Sequence, residues 1–212
     1  MTAFLVGAPP QTITYDRRVG KYRDGATGRY VSRVSILRLV DEEAARLSTR
    51  MQSHARNLVG GGIDLQTFQK RAAEDLKLSA IRSTILGSGG RSQTTAAAYG
   101  ATGRLLRDQY LFLDGFARDL AAGKLTKSQI IQRAALYGAS TRSSFHAAEK
   151  IARGREGFRL AKRVLDSAAQ HCGSCLRHST NGAYIPIEQI ISPGVDCLCR
   201  SRCRCRIEWK KN

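Results

Sequence analysis

The chain has 212 residues, 42% of them apolar, and a formal net charge of +18. An apolar share of that size excludes a wholly disordered chain, and no apolar run approaches the ~20 residues a membrane-spanning helix needs. The length suits one domain with a real core, or one domain with a small appendix, and the excess of cations points to a polyanionic neighbour: nucleic acid or an acidic protein surface. The plainer alternative is a generally basic protein with solvated faces.

Residues 1–33 read as a basic, extended arm. Pro9-Pro10 favours extended geometry, and Gly20, Gly25 and Gly28 oppose a helix. Tyr15, Tyr22 and Tyr30 are interleaved with Arg17, Arg18, Lys21, Arg23, Arg29 and Arg33. Such an arm can lie along nucleic acid, wrap a neighbouring subunit, or simply be mobile. The first ten residues lack the basic and apolar regions of a signal peptide.

Residues 34–170 read as a helical body. Val40, Ala44, Leu47, Met51, Ala55 and Leu58 recur at steps of three and four, and Gly60-Gly61-Gly62 ends that helix. Asp64 is the expected N-cap of a second helix carrying Leu65, Phe68, Ala72, Leu76 and Ala80 on one face. A third helix is expected from about Gln93 to Ala122, with Gly100, Gly103 and Gly115 read as points of close packing or a kink. Thr126-Lys127-Ser128-Gln129 has the form of a capping box for a fourth helix continuing to Ile151. A fifth is expected with Phe158, Ala161, Leu165 and Ala168 on its apolar face. Arg159, Lys162 and Arg163 would then form a second face, able to contact phosphate or simply solvated. The expected fold is mainly α, an elongated bundle of about five helices with a small C-terminal α+β module.

All six cysteines lie in residues 171–212. A C-x-x-C turn over Gly173 and Ser174 brings Cys172 and Cys175 together, and alternation along an extended segment puts Cys203 and Cys205 on one face. This is the layout of a structural zinc site with four ligands and no open position. Cys172, Cys175, Cys203 and Cys205 are the first choice. Cys197 and Cys199 are alternatives for the second pair or part of a second site, and His171 and His178 remain candidates. Disulfides are the competing reading and would require an oxidising compartment. A catalytic metal is disfavoured: none of the four histidines is followed by x-Glu, and there is no H-E-x-x-H. No Ser/His/Asp set, paired-carboxylate signal or phosphate loop is present either, so the chain reads as non-enzymatic. Arg200, Arg202, Arg204 and Arg206 alternate through the cysteine segment and are weaker candidates for contacts to phosphate or acidic protein. Tyr184 to Ile187 and Arg206 to Trp209 read as short strands around the turns at Thr180-Asn181-Gly182 and Ser192-Pro193-Gly194. So small a module needs a metal, or docking on the bundle, to be stable.

Asp166 ahead of Cys172-Gly173-Ser174-Cys175, then Asn181-Gly182-Ala183-Tyr184-Ile185-Pro186, then Cys203-Arg204-Cys205-Arg206-Ile207, resembles the C-terminal module of tailed-bacteriophage minor head, or head-morphogenesis, proteins of the phage Mu F-like kind. The match covers about the last quarter of the chain. It departs from the family at Cys197-Leu198-Cys199, which stands where a Pro-His stretch is usual, so the ligand set stays open. The resemblance implies a virion protein assembled in the host cytoplasm and present in several copies per particle. It would associate with portal or capsid protein, and with packaged DNA, in head assembly, packaging or ejection. The alternative from another class is a free, zinc-containing nucleic-acid-binding regulator.

Overall fold

A computed structural model describes residues 12–194, 197–199 and 203–211. Five helices form the body: α1 (Arg33–Val59), α2 (Leu65–Ser88), α3 (Ala96–Ala121), α4 (Lys127–Ala135) and α5 (Ser140–Arg155). Their starts follow from local chemistry. The side chains of Ser32, Asp64 and Thr95 each accept a backbone N–H three residues on, and Thr126 and Gln129 complete a reciprocal capping box. α2 is central. Its final turn, Ser83 to Ser88, is buried throughout and ends at Gly89 in the left-handed conformation. That turn lies so close to α5 that a Cβ at Gly87 would collide with the Phe145 carbonyl oxygen.

One core joins α1 to α4 around Leu47, Met51, Phe68, Leu76 and Phe116. The Phe68 and Phe116 rings meet edge to face at 5.8 Å. Each fully buried side chain of this size contributes roughly 1.5–3 kcal/mol by leaving water. The expected fourth helix is two. Leu136–Ala139 form a 3-10 turn between α4 and α5, where Gly138 sits against the Ala44 carbonyl and Ser48 of α1. The glycines of α3 do not serve close packing, since a Cβ at Gly100 or Gly103 would meet nothing within 4 Å.

The N-terminal segment does not extend away from the body. β1 (Ile13–Asp16), β2 (Lys21–Asp24) and β3 (Tyr30–Val31) form an antiparallel sheet in that order. Ile13, Tyr15 and Tyr22 point inward and share a second core with Ile36, Leu39, Leu86 and Phe145. Tyr15 N donates to the Gly89 carbonyl at 2.8 Å, and Gln93 Nε2 donates to the Tyr15 carbonyl at 2.7 Å. The apolar residues of this segment are few, but they alternate, and one buried row of three is enough to hold the sheet on α2 and α5. The expected arm residues 1–11 lie outside the described residues.

The expected fifth helix is a strand. β4 (Leu160–Val164) is the centre of a second antiparallel sheet, flanked by β5 (Ile185–Pro186) and β6 (Arg206–Lys210). Its burial alternates residue by residue, with Ala161 and Arg163 inward. Five residues with a period of two cannot be a helical face, and β6 supplies its ladder from Leu160↔Lys210 to Val164↔Arg206. Arg33 ties this sheet to the body: it pairs with Glu149 of α5 and donates to the Ile207 carbonyl of β6. Lys150 adds bonds to the carbonyls of Glu188 (3.2 Å) and Ile190 (2.9 Å). Among the described residues, no helix is long and apolar enough to cross a membrane.

Candidate metal centre

The cysteines converge at the edge of the second sheet. Cys172 precedes α6 (Gly173–His178) in extended conformation, and its Sγ accepts the Cys175 N–H at 3.4 Å. This local bond turns Cys175 inward, where it is 1% exposed. From the other side, the segment entering β6 keeps its alternation. Cys203, Cys205 and Ile207 are buried, while Arg204 and Arg206 are exposed. Cys175, Cys197, Cys199 and Cys203 bring their sulfurs within 4.8 Å of one another. Cys175 Sγ lies 3.3 Å from Cys199 Sγ and 3.7 Å from Cys203 Sγ. Four sulfurs each about 2.3 Å from one tetrahedral ion would be separated by roughly 3.8 Å, so the cluster is close to a ligand shell already. All six cysteines are free thiols.

This quartet keeps Cys175 and Cys203 from the first-choice set and takes Cys197 and Cys199 in place of Cys172 and Cys205. Cys172 is engaged as the cap of α6. Cys205 forms a second, smaller group with His171 and Cys175. His171 is held by a 2.7 Å bond between its Nε2 and the Asp166 carbonyl. His178 belongs to neither group.

Arg163 faces these sulfurs. It is 1% exposed, and its Nη2 lies 3.0 Å from Cys203 Sγ, 3.4 Å from Cys197 Sγ and 3.5 Å from Cys175 Sγ. Its Nη1 donates to the Ile191 carbonyl at 3.3 Å. Arg163 is therefore not a surface phosphate contact. Strand geometry turns it inward, and only a group of negative or polarisable atoms makes that burial tolerable. The pairing is mutual. Hydrogen bonding from Cys205, assisted by the Arg163 charge, holds the Cys203 thiol well below the ordinary thiol range, against the opposing effect of burial. Burial opposes ionisation of Cys172 as well, but backbone N–H groups of Cys175 and Cys199 bring its thiol down to about 6. Desolvation pushes the Cys175 thiol up.

The other basic candidates are more ordinary. Lys162 pairs with Glu208 at 3.1 Å, and Arg206 reaches the same carboxylate at 3.3 Å. Arg159 and Arg204 are exposed. Arg200 and Arg202 lie outside the described residues.

A buried group of soft sulfur donors can hold a thiophilic metal ion, with a histidine at its margin. Burial and the thiolate-rich donor set suit a structural ion better than one that binds substrate. Four thiolates around a divalent ion would carry a net double negative charge, and the Arg163 guanidinium would offset half of it. The sequence reading put Arg163 on a phosphate-contacting face and missed its place beside the sulfurs, because a cation at an inward position breaks the apolar pattern. The available signal was its alternation with Ala161 on a segment too short for its helical reading. No protein family, curated protein or solved structure matches the chain.

Proposed function

We propose that the chain is a non-enzymatic minor head protein of a tailed bacteriophage, with a basic helical body and a C-terminal module held together by a zinc ion. The observation that carries the reading is the sulfur cluster. The C-x-x-C before α6 and the C-R-C entering β6 are the two halves of the pattern that resembles the phage family, and their cysteines meet in one buried group. The body, with its net positive charge, would lie against portal or capsid protein and packaged DNA in the virion. The test is peptide mass spectrometry on purified particles. Several copies per particle, retained after nuclease and a salt wash, are the expected result. Detection only in the lysate, with no copies in the particle, would refute the placement.

The second reading, a free nucleic-acid-binding regulator, draws on the net charge of +18. It predicts tight binding of duplex DNA by the isolated chain, falling steeply as salt rises. Weak binding at low salt would remove it. Zinc is tested separately: native and denaturing masses should differ by one or two zinc ions, and equal masses would exclude a stably bound metal.

A further inference from the structure

A cleft of about 620 Å³ opens between the N-terminal sheet, α5 and the C-terminal sheet, away from the cysteine cluster. Tyr15, Tyr22, Tyr30, Phe158, Tyr184 and Trp209 line it. The whole chain has one Trp, seven Tyr and six Phe, so close to half of its aromatic side chains are gathered in one place. Core packing accounts for only part of this. Tyr30 is 49% exposed and Tyr184 37% exposed, and both present ring surface to the opening.

The polar groups of the lining are incompletely used. Arg153 is 2% exposed, and its guanidinium stacks 3.3 Å from the centre of the Tyr15 ring. One guanidinium nitrogen, Nη1, pairs with Glu156, but the other, Nη2, is buried without a partner. The Trp209 indole N–H is likewise buried without a partner, and the Tyr22 hydroxyl is buried with only the Arg153 guanidinium beside it. The Arg153 Nη2 and the indole N–H can each donate a hydrogen bond, and a buried donor left unpaired is costly. The two carboxylates of the lining are already engaged, Glu149 by Arg33 and Glu208 by Lys162 and Arg206. Cations stand around the mouth. Lys21 lines it, Lys210 Nζ lies 5.6 Å from the centre of the Tyr184 ring, and Lys211 Nζ lies 5.1 Å from that of Phe158.

A ligand that satisfies this site is planar, rich in acceptor atoms and anionic at one end. We propose that the cleft binds a single nucleotide unit, its base among the aromatic rings and its phosphate toward the lysines at the mouth. The volume falls within the range of small-molecule sites, and base–aromatic stacking with nearby cations is the general means by which proteins hold unpaired nucleotides. A peptide of acidic residues would meet the lysines but leave the aromatic surface unused. The inference stands on the cleft alone and does not depend on the phage reading or on the metal.

Trp209 is the only tryptophan, so its emission reports directly on this site. The full chain is titrated with adenosine monophosphate, with a short single-stranded oligodeoxyadenylate, and with inorganic phosphate. Saturable quenching by the monophosphate, the oligonucleotide or both is expected, with little response to phosphate alone. The monophosphate arm identifies a free nucleotide as sufficient. Response to the oligonucleotide only assigns the site to a nucleotide within a strand. Tyr184→Ala should weaken binding about fivefold or more, the loss of one base–aromatic stack. Lys21→Ala should reduce the salt dependence, and Phe112→Ala, on exposed α3 surface, should change nothing. Constant emission with both nucleotide probes would overturn the proposal. So would quenching that phosphate alone reproduces, or an affinity untouched by both cleft variants.

Discussion

Replacing Arg33 by methionine tests how the helical body and the C-terminal sheet are joined. Arg33 Nε and Nη2 grip the two oxygens of Glu149 at 3.1 and 2.7 Å, and Nη1 reaches the Ile207 carbonyl. The Glu149 side chain is 1% exposed, and His146 Nδ1 stands 3.7 Å from it. Burial alone would raise this carboxyl. The Arg33 charge and the hydrogen bonds from Arg33 instead hold it down at about 2, from an ordinary 4.5. A depression of that size corresponds to on the order of 3 kcal/mol of stability at neutral pH. Breaking one side of a buried ion pair costs about 3–5 kcal/mol by a separate line of reasoning. Arg33→Met should therefore lose about 3–5 kcal/mol in urea unfolding at neutral pH. The sign with pH follows from a depressed carboxyl. The wild-type contribution is complete above the ordinary 4.5 and is lost as pH falls toward about 2, so the gap between wild type and variant should close across that window. Adding Glu149→Gln should recover much of the loss at neutral pH, because no unpaired charge is then buried. A loss below ~1 kcal/mol at neutral pH, the median for an exposed pair, would refute this account. So would a loss of constant size down to the acid limit.

Three further outcomes follow from the cysteine cluster and the helix packing. Cys203→Ser should abolish retention of metal in native mass spectrometry while Cys172→Ser retains it; loss of metal in both variants would restore the quartet first expected from spacing. Arg163→Leu should lower metal affinity by about 10–100-fold in competition with a chromophoric chelator, the usual effect of removing a group that supports metal ligands. An unchanged affinity would make Arg163 a packing residue only. Gly87→Ala should cost about 1–3 kcal/mol or more by forcing α2 from α5, whereas Gly100→Ala should be neutral or stabilise by up to ~1 kcal/mol. Thermal melts of the two variants shifting in the same direction would contradict the packing described.

The helical body was legible because its signals are local. The Asp64 cap, the Thr126 capping box and the apolar spacing from Val40 to Ala55 each need only a few residues to be recognised; α2 and α4 begin where the caps place them, and the apolar row lies within α1. The parts that were not legible depend on distant partners. Ile13, Tyr15 and Tyr22 look like isolated apolar residues in a basic arm until α2 and α5 are behind them. β4 was read as a helix because Phe158, Ala161, Leu165 and Ala168 also fit helical spacing, and because Arg163 hid the inward row. The convergence of cysteines was foreseeable from their confinement to one region. Their choice of partners was not, because it depends on where the segment before β6 is laid against α6.

The contact between Arg33 and Ile207 also sets an order of events in folding. The two residues are 174 positions apart. Closing a loop of that length directly carries an entropic cost of roughly 4–5 kcal/mol, and each halving of the open span lowers it by about 0.6 kcal/mol. The five helices contact one another over shorter separations and can collapse first, carrying Arg33 and Glu149 into register. The last strand then has to search only the span beyond α5 before it meets a guanidinium already in place. Refolding of the body is thus expected to run ahead of the cysteine-bearing sheet, with α1 and α2 gaining protection before β6.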